Sequence, residues 1–468
     1  MADSECGTIH NRPRRGGPSK GTRKGSHRAR RQDRVTINTL SDDVLLEILY
    51  FYVNNQISIS GWHTLVQEKV PPLSYWTSGQ SCRWRYVPRH FQSSKSCLDS
   101  CLGNIAAFLE SEHHHRVCLI DLPRIPTSHL ERLAAGMAKP FPKLTFLRMF
   151  VEENTMASLP DSFLGGGSAP LLEQLALKNC AFPGIPKFLL SANHLVGFSL
   201  RNIPDSGYFS PQALVTALSV MSRLVILRVD FQSPRYPSSR PRPPLTRTVL
   251  PALTDLLFQG VHEYLEDLLA QIEAPLLNTL YITFFMDLDF VVPQLHQLIS
   301  RTEWFKTCDR AFVCIAHPLV RFSIFRGTNW SPELSLDFSC RELDYQLSSL
   351  AQVFNSSLLL LSTLAELDIE DDVLPHSQTH WKGDMDPAQW LELLDPFIAV
   401  KVLRLSDQVG PHVCQALEEL AEERVTEVLP ALQKIFLRDR PLKPVPKYIE
   451  RFVAARRLSG HPVVVYPW

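Results

Sequence analysis

Leu172-Glu173-Gln174-Leu175-Ala176-Leu177-Lys178-Asn179-Cys180-Ala181-Phe182 is the stretch that decides how this chain folds. Apolar side chains stand at 172, 175, 177, 180 and 182, with polar or small ones between them. In Leu175-x-Leu177 the two leucines point to one side of a strand and the residue between them to the other. The same spacing, hydrophobe-x-x-hydrophobe-x-hydrophobe, returns as Leu144, Leu147, Met149; Leu195, Phe198, Leu200; Leu224, Leu227, Val229; Leu253, Leu256, Phe258; and Leu277, Leu280, Ile282. It returns again as Leu364, Leu367, Ile369; Val400, Leu403, Leu405; and Leu432, Ile435, Leu437. One such triplet carries no weight in a leucine-rich chain. Nine of them, many introduced by Phe-Pro, Ala-Pro or Leu-Pro-Ala, define a repeat.

The first six copies begin 23 to 29 residues apart, and the pattern resembles the leucine-rich repeat. That resemblance implies an α/β solenoid in which parallel strands stack along one face and helices return the chain behind them. Val261 to Ala270 fits such a return, with Val261, Leu265, Leu268 and Leu269 on one helical face. Pro211 to Leu218 fits another: Ser210 is placed to cap it and Pro211 suits the first helical position. Gly165-Gly166-Gly167 reads as a turn between repeats. Between Leu277 and Leu364 the period fails. Leu319, Phe322 and Ile324 keep the spacing, whereas Leu334 to Phe338 alternates, so a hairpin or lengthened strands are expected there. Ser233 to Thr246 holds three arginines and five prolines and reads as a basic surface loop. The array needs caps. Pro446 to Ala455 reads as a helix stopped by Gly460, and Val463-Val464-Val465 as an edge strand limited by Pro462 and Pro467.

Leu40-Ser41-Asp42-Asp43-Val44-Leu45-Leu46-Glu47-Ile48-Leu49 reads as a second kind of unit. Ser41 suits the cap, Asp42 and Asp43 suit the positive end of a helix, and Leu40 can staple to Leu45. Val44, Leu45, Ile48, Leu49 and Tyr52 form one apolar face. This run resembles the first helix of an F-box, with Ser41 at the usual proline position. Trp62-His63-Thr64-Leu65-Val66 and Cys82-Arg83-Trp84-Arg85-Tyr86-Val87 resemble its two later pieces, the latter one residue short between Arg83 and Trp84. An insertion at about 67–81, with Pro71-Pro72 in it, separates them as a loop. Leu159 to Gly166, Tyr264 to Leu268 with Ala274 to Leu277, and Phe452 to Arg456 resemble fungal F-box proteins with a degenerate leucine-rich region. The resemblance implies a non-enzymatic substrate receptor of a Skp–cullin–F-box type ubiquitin ligase. Leu40, Val44, Leu45, Ile48 and Leu49 would bind a Skp-type adaptor protein and through it a cullin. Trp62, Leu65 and Trp84 would complete the helical surface, and the array would hold an unknown protein substrate. The alternative is a repeat scaffold without ligase association, because the module is interrupted. The organisation expected is a disordered basic tail at 1–35, the F-box-like module at 36–100, and the leucine-rich array with a helix–strand cap at 101–468.

The chain has 468 residues, no formal net charge and 45% hydrophobic residues, enough for a packed core. No apolar run approaches the roughly 20 residues of a membrane span. Met1 to Cys6 lacks the features of a signal peptide, and the ten cysteines form no Cys-x-x-Cys pair. A cytoplasmic or nuclear location with reduced thiols follows as the expectation. The arginines and lysines of the tail have no aromatic residues among them, so a stacking platform for single strands is not expected; a nuclear-import signal or a nucleic-acid arm is the lesser reading beside a solubilising tail. There is no Gly-x-Ser-x-Gly elbow, His-Glu-x-x-His motif or phosphate loop. His113-His114-His115, Asp287-Leu288-Asp289 and Glu370-Asp371-Asp372 lack a convergent partner. No catalytic residue, metal site or cofactor is therefore expected. Outward strand residues such as Glu173, Gln174, Ala176, Arg201, Arg228 and Asp255 are the candidates for contact with substrate.

Overall fold

The structure, a computed structural model, describes residues 73–78, 81–86 and 102–467, apart from 104, 108, 111, 153–156, 168, 235–246, 286–290, 317–318, 329–330, 340–349, 355–358, 372–385, 421–423 and 439–446. Leu40, Val44, Leu45, Ile48, Leu49, Trp62, Leu65 and most of the basic loop lie outside the described residues.

The repeat triplets become strands of one sheet. In chain order these are β1 Leu73–Ser78, β2 Ser81–Tyr86, β3 Val117–Ile125, β4 Phe146–Val151, β5 Gln174–Lys178, β6 Gly197–Ile203, β7 Ile226–Phe231 and β8 Asp255–Gly260. They continue as β9 Thr279–Phe285, β10 Arg310–Ala316, β11 Leu319–Phe325, β12 Leu334–Ser339, β13 Glu366–Asp371, β14 Val402–Leu405, β15 Lys434–Leu437 and β16 Val464–Pro467. Sequential neighbours pair throughout this sheet except in the middle, where the order is β9-β12-β11-β10-β13. Identical repeat positions fall opposite one another: Leu147, Leu175, Phe198, Leu227, Leu256 and Leu280 form one row, and Met149, Leu177, Leu200, Val229, Phe258 and Ile282 the next. None of the 27 residues of the nine triplets is more than 5% exposed. Each such side chain contributes roughly 1.5–3 kcal/mol on burial, and its covering comes from adjacent repeats. Val117, Ile120 and Leu122 have the same spacing and are fully buried. They are a further copy, which a reading that begins at Leu144 leaves out.

Helices return the chain behind the strands: α1 Thr127–Gly136, α2 Ile185–Leu189, α3 Pro211–Leu218, α4 His262–Leu269, α5 Pro293–Arg301, α6 Pro387–Leu394 and α7 Val409–Glu419, with α8 Lys447–Leu458 before the last strand. Ser210 caps α3 as expected, its hydroxyl accepting from the Ala213 amide at 3.2 Å. In α4, Leu265, Leu268 and Leu269 are buried together with Tyr264. Glu266 of α4 also caps the next return. Its carboxylate accepts from the Gln294 and Leu295 amides of α5 at 2.8 and 2.9 Å, which ties successive repeats together. The glycine turn is left-handed at Leu164, Gly165 and Gly166, and a Cβ on Gly165 would meet the Pro140 nitrogen at 2.9 Å.

Asn179 ends β5 at φ 58. Its side-chain amide donates to the Val151 carbonyl at 2.7 Å, and its side-chain oxygen accepts from the Asn202 amide at 2.5 Å. Asparagine tolerates this backbone and joins three neighbouring strands there. Asn179→Ala is expected to lower the unfolding free energy by about 1–3 kcal/mol in urea denaturation, because it leaves a buried carbonyl unpaired and keeps the left-handed backbone.

The irregular middle is a meander. From β9 the chain passes through α5 and skips two sheet positions to β10. It then returns through antiparallel β11 to β12, which lies parallel to β9. The hairpin expected here is present. Leu319, Phe322 and Ile324 occupy β11, which runs opposite to its neighbours, with Phe322 and Ile324 buried.

At the first end the structure departs from the sequence reading. Cys82 to Tyr86 is extended, not helical, and Trp84 of β2 is in register with Tyr75 of β1 and Ile120 of β3. The physical reason is legible afterwards: Cys82, Trp84 and Tyr86 alternate with Arg83 and Arg85, a period of two and not of 3.6. Trp84 therefore does not complete a helical surface. Nor is 67–81 a loop throughout, since Leu73–Ser78 pairs with β2 as an antiparallel hairpin. At the other end the expected cap is present: α8 precedes Gly460 at φ +81, and β16 pairs parallel to β15 at the edge of the sheet.

Candidate interaction surface

The residues between the buried rows project from the outward face of the sheet. In the first half, Arg148 of β4 holds Asp121 of β3 through two bonds of 2.6 and 2.8 Å, and Asp121 is 1% exposed. The Phe150 ring has the guanidinium groups of Arg148 and Arg201 at 5.7 and 5.9 Å from its centroid. Arg228 donates to Asp230 at 2.7 Å, and Arg201 stands 3.9 Å from the same oxygen. Burial pushes the Asp230 carboxyl above its ordinary value, against the pull of Arg228 and Arg201. Burial and the charge of Arg228 push the Arg201 guanidinium down.

The second half is built on Asp368 of β13, which is 1% exposed. Arg310 of β10 reaches it at 2.5 and 3.0 Å, and Arg404 of β14 at 2.9 Å. Arg404 also donates to Glu366 at 2.6 Å. Arg321 and Asp337 pair across β11 and β12 at 2.8 and 2.9 Å, and Arg438 reaches Glu370 at 3.1 Å. Arg404 lies 5.5 Å from the Phe436 centroid, and Phe436 stacks on Tyr466 at 5.1 Å.

Of the outward residues expected from sequence, Gln174, Arg201, Arg228 and Asp255 stand in strands on this face. Ala176 is there too but is 4% exposed, too covered to offer contact. Glu173 precedes β5, where its carbonyl accepts from the Val196 and Gly197 amides. Asp121, Arg148, Phe150, Asp230, Arg310, Asp368 and Arg404 were not singled out as contact residues. Their signal was a charge or ring at the position between two buried hydrophobes, except for Arg310, which follows the exposed Asp309 and precedes the buried Ala311.

Nucleophilic chemistry finds no support at the buried cysteines. Burial pushes the Cys180 and Cys308 thiols up to about 12 and the Cys414 thiol up as well, so all three stay protonated at neutral pH. Among the described residues, no three histidine, cysteine or acidic side chains are grouped to hold a metal ion, and no helix is long and apolar enough to cross a membrane.

No protein-family model matches this chain, and no curated protein matches it. Among solved structures it is similar to the leucine-rich repeat-containing protein LegL7 from Legionella pneumophila. The likeness covers 71% of this chain and 95% of that one, at 14% identity and a TM-score of 0.27. The leucine-rich-repeat-like architecture therefore rests on this chain's own strand register and buried triplets.

Proposed function

We propose that this chain recognises a protein on the outward strand face of its array, as the substrate receptor of a Skp–cullin–F-box type ubiquitin ligase. The observation that carries the recognition reading is the face itself. Its strands pair in regular register, and arginines, carboxylates and aromatic rings project from it, the arginines holding carboxylates across strands at Asp121 and Asp368 and within β7 at Asp230. Arginine and aromatic residues are enriched where proteins bind proteins. The ligase role is supported by the resemblance of Leu40 to Leu49 to an F-box helix, and the transfer chemistry would belong to other subunits.

A second reading, a repeat scaffold without ligase association, is favoured by one observation. Leu73–Ser78 and Ser81–Tyr86 pair as strands, so a piece of sequence that resembles the later helical part of the module joins the sheet.

Co-purification with a Skp-type adaptor separates the two. Leu45→Asp and Leu49→Asp are expected to abolish adaptor recovery, since a charge left unpaired in a desolvated helix contact costs about 2–5 kcal/mol. The melting of the array is expected to be unchanged, because its repeats stabilise one another. Intact protein that recovers no adaptor rejects the ligase role and leaves the scaffold.

A further inference from the structure

We infer that the seam between α4 and α5 is an acid-released joint: a proton taken up at Glu266 frees the first turn of α5 from the preceding repeat, while the sheet keeps its register. This goes beyond the recognition reading and does not depend on it.

The joint stands at a particular place in the fold. Helix α5 is the connection that carries the chain from β9 past two sheet positions to β10, so it straps together the two parallel runs of the array. It begins Pro293-Gln294-Leu295, and the first amides of any helix have no partner inside it. Pro293 has no amide hydrogen to satisfy, and Val292, at the cap position, has no side-chain acceptor. The next two amides are served from the repeat before. Gln294 donates to Oε2 of Glu266 at 2.8 Å and Leu295 to Oε1 at 2.9 Å, across 28 and 29 positions of sequence. Helix α3 differs, because its cap is the hydroxyl of its own Ser210, which does not titrate near neutral pH.

Only the carboxylate offers both oxygens in full. A proton on either one makes it a hydroxyl, a poorer acceptor that carries a hydrogen of its own, so one of the two charge-assisted bonds is lost. Burial pushes the Glu266 carboxyl above its ordinary value, against the two amides and the charge of His262, and the charge of Asp267 adds to the push. The folded chain therefore holds this proton more tightly than an unfolded one. The group's contribution to stability is full below the ordinary carboxylate value and is lost as pH rises through the raised one. Acid thus opens the cap without undoing the array. Arg247 confines the opening to one turn. Its guanidinium donates to the Ala270 carbonyl at 3.1 Å and to the side-chain oxygens of Gln294 and Gln297 at 2.9 and 3.0 Å, and it keeps its charge throughout. The remaining titratable or charged groups on the elements around Glu266 are Glu263 and Tyr264 on α4, His296 and Arg301 on α5, and Glu273 after α4; α3 carries none. Asp287 and Asp289, ahead of α5, lie outside the described residues.

Hydrogen exchange of the full chain, resolved to single amides and expressed as protection factors, tests the joint. Between about pH 7.5 and about pH 4.5, protection of the Gln294 and Leu295 amides is expected to fall about tenfold, the loss of one charge-assisted hydrogen bond. Ala213, at the Ser210 cap, and the amides of β5 to β8 are expected to keep theirs. Glu266→Gln, uncharged at every pH, is expected to show the lowered protection already at neutral pH and no further fall in acid; a cooperative melt shows that it folds. In the unmutated chain an isotopic label on the Glu266 side-chain carboxyl, read by NMR, is expected to titrate in step with the loss of protection, which keeps the test open should the variant not fold. Protection that ignores pH overturns the inference. So does a fall that survives in Glu266→Gln or is out of step with the labelled carboxyl, since another group then titrates. A fall shared by β5 to β8 also overturns it, as general acid unfolding.

Discussion

Arg456→Met is expected to lower the stability of the C-terminal cap by about 3–5 kcal/mol. Arg456 lies in α8 and is fully buried. Among the described residues its guanidinium is met by backbone carbonyls: it donates to Val425 at 3.4 Å, Leu429 at 3.5 Å, Pro430 at 3.1 Å and Leu432 at 3.0 Å. These carbonyls belong to the turn that leads into β15, where Leu429 has a left-handed backbone at φ 51. The arginine therefore satisfies a turn that has few donors of its own. Burial pushes its guanidinium down, but an arginine keeps its charge in a protein. Methionine would fill much of the volume and withdraw the guanidinium donors from these carbonyls, of which Leu429 keeps the Leu432 amide. Lysine is expected to recover little, since one ammonium does not reproduce a planar fork. Hydrogen exchange is the suitable measurement. Amides of β15 and β16 are expected to lose protection while those of β5 to β8 keep theirs, because repeat arrays lose structure locally from their ends. Uniform loss of protection would show that the cap and the array unfold as one.

The second large effect is expected at Asp368→Asn, about 3–4 kcal/mol of destabilisation. This carboxylate is inaccessible and receives Arg310 on one oxygen and Arg404 on the other. Its loss leaves a buried site with two cations facing a neutral amide. Arg404 retains Glu366. In a double-mutant cycle, Arg310→Met is expected to cost much less in the Asp368→Asn background than alone, with a coupling of about 1–3 kcal/mol. Additive losses in urea denaturation would mean that the pair is an incidental surface contact.

Both effects depend on partners far away in sequence, which is why neither residue stood out in the chain as read. Arg310 and Asp368 are separated by 58 positions, and in the chain each is only a polar residue beside a hydrophobe. Arg456 looked like one more basic residue near the end of a helix.

The sequence by itself determined which side chains face inward. Nine triplets predicted from spacing are all buried, and the Ser210 cap, the α4 return and the helix–strand cap lie close to where the residues placed them. Those features are local: strand alternation and helical period are set by residues a few positions apart. Tertiary structure decided which strands become neighbours and in which direction they run. Leu319, Phe322 and Ile324 have the repeat's spacing, yet β11 runs antiparallel, because side-chain alternation sets which residues face inward and not which way a strand runs beside its neighbours. Trp84 shows the same limit at the first end. A short aromatic run fits a helix or a strand until a partner edge takes up its backbone hydrogen bonds, and here the edge of β3 does so.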